Sequence, residues 1–114
     1  MDNSKNNLMS GIINADCFFS IVLSYVEESS FEELNELCKS LHHKFPYIVI
    51  DLSGPSIQAA STYYSTYFSF SDGKLRRKNP HRKLNSSFLR NEFSTESSWS
   101  VIQAVDQCVK EKIS

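Results

Sequence analysis

The amino-acid sequence predicts a single small domain of the α/β (or α+β) class. Its expected order is β-α-β-α-β, then a basic loop and a C-terminal amphipathic helix packed on a mixed sheet. Three observations lead there. Short runs of β-formers alternate with segments whose apolar residues recur at helical spacing, which favours a mostly parallel or mixed sheet with helices on it. The 114 residues suit one domain with one modest core. With 40% apolar and 22% charged residues, the chain falls in the ordinary globular range rather than the disordered one.

Residues 1–11 read as a flexible N-terminal tail and residues 12–114 as the globular domain, because Asn, Ser and Lys dominate the start and nothing repeats. Ile12 to Val26 is rich in β-formers and is expected to be the first strand. Phe19, Ile21, Leu23 and Tyr25 would line one side, and a mixed set from Phe18 to Val26 the other. A helix start follows at Ser30, which can cap the amide of Glu33 while Glu33 reaches back to the Ser30 amide. Glu32, Glu33 and Glu36 suit the positive end of the helix dipole; Lys39, His42, His43 and Lys44 suit the negative end. Leu34, Leu37, Cys38 and Leu41 form one apolar stripe, and Pro46 stops the helix.

Tyr47 to Leu52 is nearly continuous in apolar residues, the pattern of an interior strand covered on both faces. Ser53-Gly54-Pro55 turns the chain into an expected helix from Ser56 to about Ser65, with Ile57, Ala60 and Tyr64 on one side. Tyr67 to Ser71 alternates as a strand does, and Asp72-Gly73 signals a tight turn. Asn79-Pro80 breaks the basic segment that follows. Phe88 to Phe93 is expected to be a further strand. Trp99, Ile102, Val105, Val109 and Ile113 mark the C-terminal helix.

Charge is distributed unevenly along this framework. Lys74, Arg76, Arg77, Lys78, Arg82, Lys83 and Arg90 fall within seventeen residues that contain no acid. Residues 1–73 carry a formal charge of −6, this stretch +7 and the remainder −2, so the net charge of −1 conceals a bipolar chain. A local positive field attracts anionic surfaces whatever lies beneath it. The stretch is expected to be a mobile loop, and three readings stand beside one another. It could meet nucleic-acid phosphates in a salt-sensitive way, fit an acidic protein surface, or serve only as a solvated turn. Arg76-Arg77-Lys78 also resembles a short nuclear-import signal. The aromatic cluster Tyr63, Tyr64, Tyr67, Phe68 and Phe70 precedes the basic stretch. Interleaved aromatic and basic side chains can stack and clamp single strands, although alternation also fits core packing with half-buried tyrosines.

Other candidate sites read as structural. Asp51, Ser53 and Ser56 sit where a strand gives way to a helix, and Ser and Asp there usually cap it. His42 has only Cys38 at helical spacing, which falls short of a metal site, so neither metal nor cofactor is expected. Cys17, Cys38 and Cys108 are odd in number and form no C-x-x-C pair, as expected for reduced residues in or near the core of an intracellular protein. No apolar run reaches the roughly 18 residues a membrane span needs, and the polar start predicts no secretory signal.

Ile50 to Ala60, with Gly54 at its turn, resembles the second strand, glycine turn and second helix of Alba-type nucleic-acid-binding proteins. Those proteins share the β-α-β-α-β-β order and carry a basic hairpin between their last two strands. The resemblance implies nucleic-acid binding. This chain departs from it by lacking basic residues near the second turn and by adding a helix from Trp99 onward. Val49 to Gly54 is also similar to a strand of STAS regulatory domains, whose following Asp-Ser pair is replaced here by Gln58-Ala59-Ala60-Ser61.

Taken together, the residues predict a non-enzymatic interaction or adaptor subunit of an intracellular assembly, in the cytoplasm or nucleus. It would bind a protein partner, one with an acidic surface, through residues 74–90 and the adjacent tyrosines. The alternative is an RNA- or DNA-binding protein contacting phosphates through the same basic stretch.

Overall fold

The short strand β1, Gly11–Asn14, opens directly into a helix, α1, Ala15–Val22. The computed structural model describes residues 11–51, 68–79, 84, 86–93 and 96–113. The long strand expected over Ile12 to Val26 is therefore replaced by a strand and a helix. Asn14 decides the change: its side chain accepts a hydrogen bond from the Cys17 amide at 2.9 Å, and Asp16 lies in the first turn, where the helix dipole favours an anion. Every residue of α1 except Asp16 is buried. A segment buried on all sides shows neither strand nor helix periodicity, so its aromatic and β-branched content misleads.

Strand β2, Glu28–Ser30, was not expected. It leads into α2, Phe31–Lys44, whose start follows the expected capping box. The Glu33 amide donates to Ser30 Oγ at 3.2 Å, and the Ser30 amide donates to Glu33 Oε1 at 3.4 Å. Leu34, Leu37 and Leu41 are buried and Cys38 is half-buried, as the stripe requires. The helix closes at Phe45, whose amide donates to the Leu41 carbonyl at 2.7 Å just before Pro46.

Strand β3, Ile48–Asp51, pairs in parallel with β1, aligning Gly11 with Ile48, Ile12 with Val49, Ile13 with Ile50 and Asn14 with Asp51. Strands β4, Phe68–Ser71, and β5, Lys74–Arg77, form a hairpin over Asp72-Gly73. Both turn residues have positive φ, 54° and 72°, as a type I′ turn demands. Strand β2 adds to β5 antiparallel, giving the order β2-β5-β4. The α/β or α+β class holds, but the expected single mixed sheet is, among the described residues, two small sheets. The expected loop at Lys74–Arg77 is the central strand of one of them. Leu75, wholly buried, fixes it against the core beside Phe68 and Phe70. Phe31 packs edge-on against Phe70 and donates its amide to the Gly73 carbonyl at 3.1 Å, tying the hairpin turn to the start of α2.

Two helices follow. Helix α3, Ser86–Phe93, stands where a strand was expected over Phe88 to Phe93. Leu89 is buried, Phe88 half-buried and Arg90 and Asn91 exposed, so only one side meets the core. Helix α4, Glu96–Ile113, matches the expected C-terminal helix and buries Val101, Ile102, Val105 and Val109. Ile113, expected on that stripe, is exposed, because the helix runs past the core at its end. Helix α4 packs on α1, α2 and β1. Its approach to β1 needs glycine: a Cβ on Gly11 would stand 2.4 Å from Val101 Cγ2, and Gly11 has φ +153°. Gly11 thus belongs to β1 rather than to a tail, and its amide donates to the Tyr47 carbonyl at 3.1 Å.

Polar contacts secure the same helix on its outer side. Lys44 at the end of α2 pairs with Glu111. The Tyr25 hydroxyl donates to Asp106 at 2.7 Å. Burial and that hydrogen bond push the Tyr25 hydroxyl up to about 12. The helix expected over Ser56 to Ser65, with Ser53, and the tail residues before Gly11 lie outside the described residues.

Candidate interaction surfaces

The basic stretch is drawn into the fold from its first residue. Strand alternation sets Lys74 and Arg76 on one face of β5 and Leu75 and Arg77 on the other. The β2–β5 register places Glu28 opposite Arg76 and Ser30 opposite Lys74. Glu28 consequently meets both bases: its Oε2 lies 2.9 Å from Lys74 Nζ, and its Oε1 accepts from Arg76 Nε at 3.1 Å. These hydrogen bonds, with Lys74 first and Arg76 second, hold the Glu28 carboxyl below its ordinary range. Arg77 is half-buried and Lys78 exposed. Arg90 stands apart on α3, its guanidinium 5.5 Å from the centre of the Trp99 ring. Lys74 and Arg76 are thus brought together, on a carboxylate of this same chain. Arg82, Lys83, Tyr63, Tyr64 and Tyr67, the other members of the expected site, lie outside the described residues.

A second surface was not anticipated. The run from Tyr47 to Leu52 was expected to be covered on both faces, yet one face of the β1–β3 sheet is open. Ile48 is buried and Ile50 half-buried, whereas Val49 is 51% exposed and Tyr47 60% exposed. Ile12, opposite Val49 in the register, is 71% exposed. Ile13 and Ile48 turn inward, so alternation turns Ile12 and Val49 outward together, and Tyr47 is exposed in the turn just before β3. One sequence signal pointed this way: Val49 and Asp51 share a strand face, and an exposed carboxylate ends it.

The three thiols are held quiet. Burial pushes the Cys17 thiol up to about 12, with the Asp16 charge adding to the effect, and pushes Cys38 up to about 11. Burial also raises Cys108. All three are free thiols, and in such surroundings a thiol stays protonated near neutral pH and is a poor nucleophile. A groove of about 580 Å³ runs between α2 and the end of α4, with Glu32, Glu33 and Glu36 on one side and Leu37 and Ile113 among its apolar lining. Asp51 is exposed at the end of β3. Among the described residues, no group of three or more His, Cys, Asp or Glu side chains could hold a metal ion, and no helix is long and apolar enough to cross a membrane.

No protein-family model, curated protein or solved structure matches the chain.

Proposed function

We propose that this chain is a non-enzymatic interaction subunit that binds another protein through the open face of its β1–β3 sheet. The exposure of Ile12 and Val49, paired on one face, with exposed Tyr47 just before β3, supports the reading. Parallel strands are ordinarily covered on both faces, and contiguous exposed apolar side chains mark contact sites. The raised thiols support a binding role over a catalytic one, and three free cysteines are in keeping with an intracellular setting. The basic stretch has a secondary part in this reading, through the exposed charge of Lys78. A partner's acidic rim would meet it and be steered by it.

Copurification with the tagged full chain tests the reading against its nucleic-acid rival. Wild type, Val49→Asp and Lys78→Glu should be compared under one salt condition. A discrete protein complex should be lost with Val49→Asp and kept with Lys78→Glu. RNA or DNA retained by wild type, released by salt and lost with Lys78→Glu while Val49→Asp has no effect, would establish the rival.

A further inference from the structure

The groove between α2 and the end of α4, about 580 Å³, is divided by chemistry. Its volume lies within the roughly 300–1,000 Å³ of clefts that hold ligands. Glu32, Glu33 and Glu36 line it from α2, and Lys112 and Ile113 from α4. Three carboxylates against one ammonium leave it acidic. Leu37 and half-buried Val26 add apolar lining, and Ile113 is 39% exposed where α4 runs past the core.

Two of the acids are available to an occupant. Glu33 is engaged by the Ser30 amide and hydroxyl. Glu36 lies 4.0 Å from Lys39, both side chains mostly in solvent, and such pairs are weak. Among the described residues, no cation meets Glu32. A buried hydroxyl marks the same place. Ser29 is 2% exposed and lines the groove. Its register partner is wholly buried Leu75, so its side chain turns away from the face on which Glu28 holds Lys74 and Arg76. Among the described residues, the Ser29 hydroxyl has no hydrogen-bond partner. A buried polar group left unpaired costs free energy, which an occupant bearing backbone amides and carbonyls recovers.

We infer that the groove holds a basic, amphipathic segment of a partner protein, its cations against Glu32 and Glu36 and its apolar side chains against Leu37 and Ile113. Charge complementarity names the occupant. Glu32 and Glu36 stand one turn apart, about 6 Å along the helix. Two cations two residues apart on an extended segment, or four apart on a helical one, match that spacing. Lys112 on the opposite wall repels further cations, so the segment is basic along one side only. This contact is separate from the open β1–β3 face and does not depend on it.

Selection from a random library of short peptides on the full chain tests the inference, followed by titration of the selected peptides and amide chemical-shift mapping. Peptides with Lys or Arg at those spacings and apolar residues between them should be enriched, and should shift Val26, Ser29, Leu37 and Ile113. The double variant Glu32→Gln, Glu36→Gln should weaken binding about tenfold, as the loss of two partly exposed ion pairs implies. Ile113→Asp should weaken it as much, and Glu27→Gln, outside the groove, should not. Val49→Asp should leave it unchanged, which separates this contact from the proposed function. Circular dichroism checks the fold of each variant. Replacing the apolar residues of a selected peptide by serine should abolish binding; retained binding would reduce the groove to a simple charge contact and overturn the inference. No enrichment, enrichment of acidic peptides, or shifts confined to residues outside the groove would also overturn it.

Discussion

The two small sheets differ in where their polar and apolar groups end up. The β2-β5-β4 sheet holds the most charged sequence in the chain, yet Glu28 occupies Lys74 and Arg76 and the core occupies Leu75. The β1–β3 sheet holds one of the most apolar runs, yet Ile12, Tyr47 and Val49 stand open. A charge is available to a partner only if nothing within the fold has taken it. An apolar run is core only if something covers each of its faces. Sequence records neither condition, because both depend on contacts between residues far apart in the chain.

The largest expected effect in this comparison lies in the charged sheet. Leu75→Ala removes a wholly buried side chain from its central strand and should cost about 2–5 kcal/mol, measured by urea unfolding. A loss below about 1 kcal/mol would mean that β5 is not fixed by the core. Next is the junction of β2 with α2. Ser30→Ala removes the cap on Glu33 and should cost about 1 kcal/mol. A smaller effect follows from Glu28. Its carboxyl is held below the ordinary value of 4.5 by Lys74 and Arg76, so its contribution is present above that value. The contribution is lost as pH falls through the lowered folded value. The thermal midpoints of wild type and Glu28→Gln should therefore differ near neutral pH and converge in acid, and a difference that persisted there would point to another cause. The smallest effect belongs to the open sheet. Ile12→Thr should change stability by no more than about 0.5 kcal/mol, since it is surface in the isolated chain.

Legibility followed the range of the interactions. Helix α2 was readable because Ser30, Glu33 and the Leu34, Leu37, Leu41 stripe act within a few residues of one another. Helix α4 and the Asp72-Gly73 turn were readable for the same reason. Helix α1 was not, because burial on all sides hides its period and Asn14, its cap, lies inside a run of β-formers. Strand β5 was not, because its place depends on the core around Leu75 and on pairing with β2, where Glu28 lies 48 residues away from Arg76. Of the candidate site, the sequence identified the basic residues but not their partner. The open face went unread because the cover assumed for Val49 was inferred from its neighbours in sequence.

Amide hydrogen exchange, read on the purified chain and again in the assembly it forms, tests the central claim most directly. The account predicts new protection at Ile12 and Val49, with exchange at Leu75 and Lys78 unchanged. Protection gained across residues 75–78, with none at Ile12 or Val49, would contradict it and return the contact surface to the basic stretch.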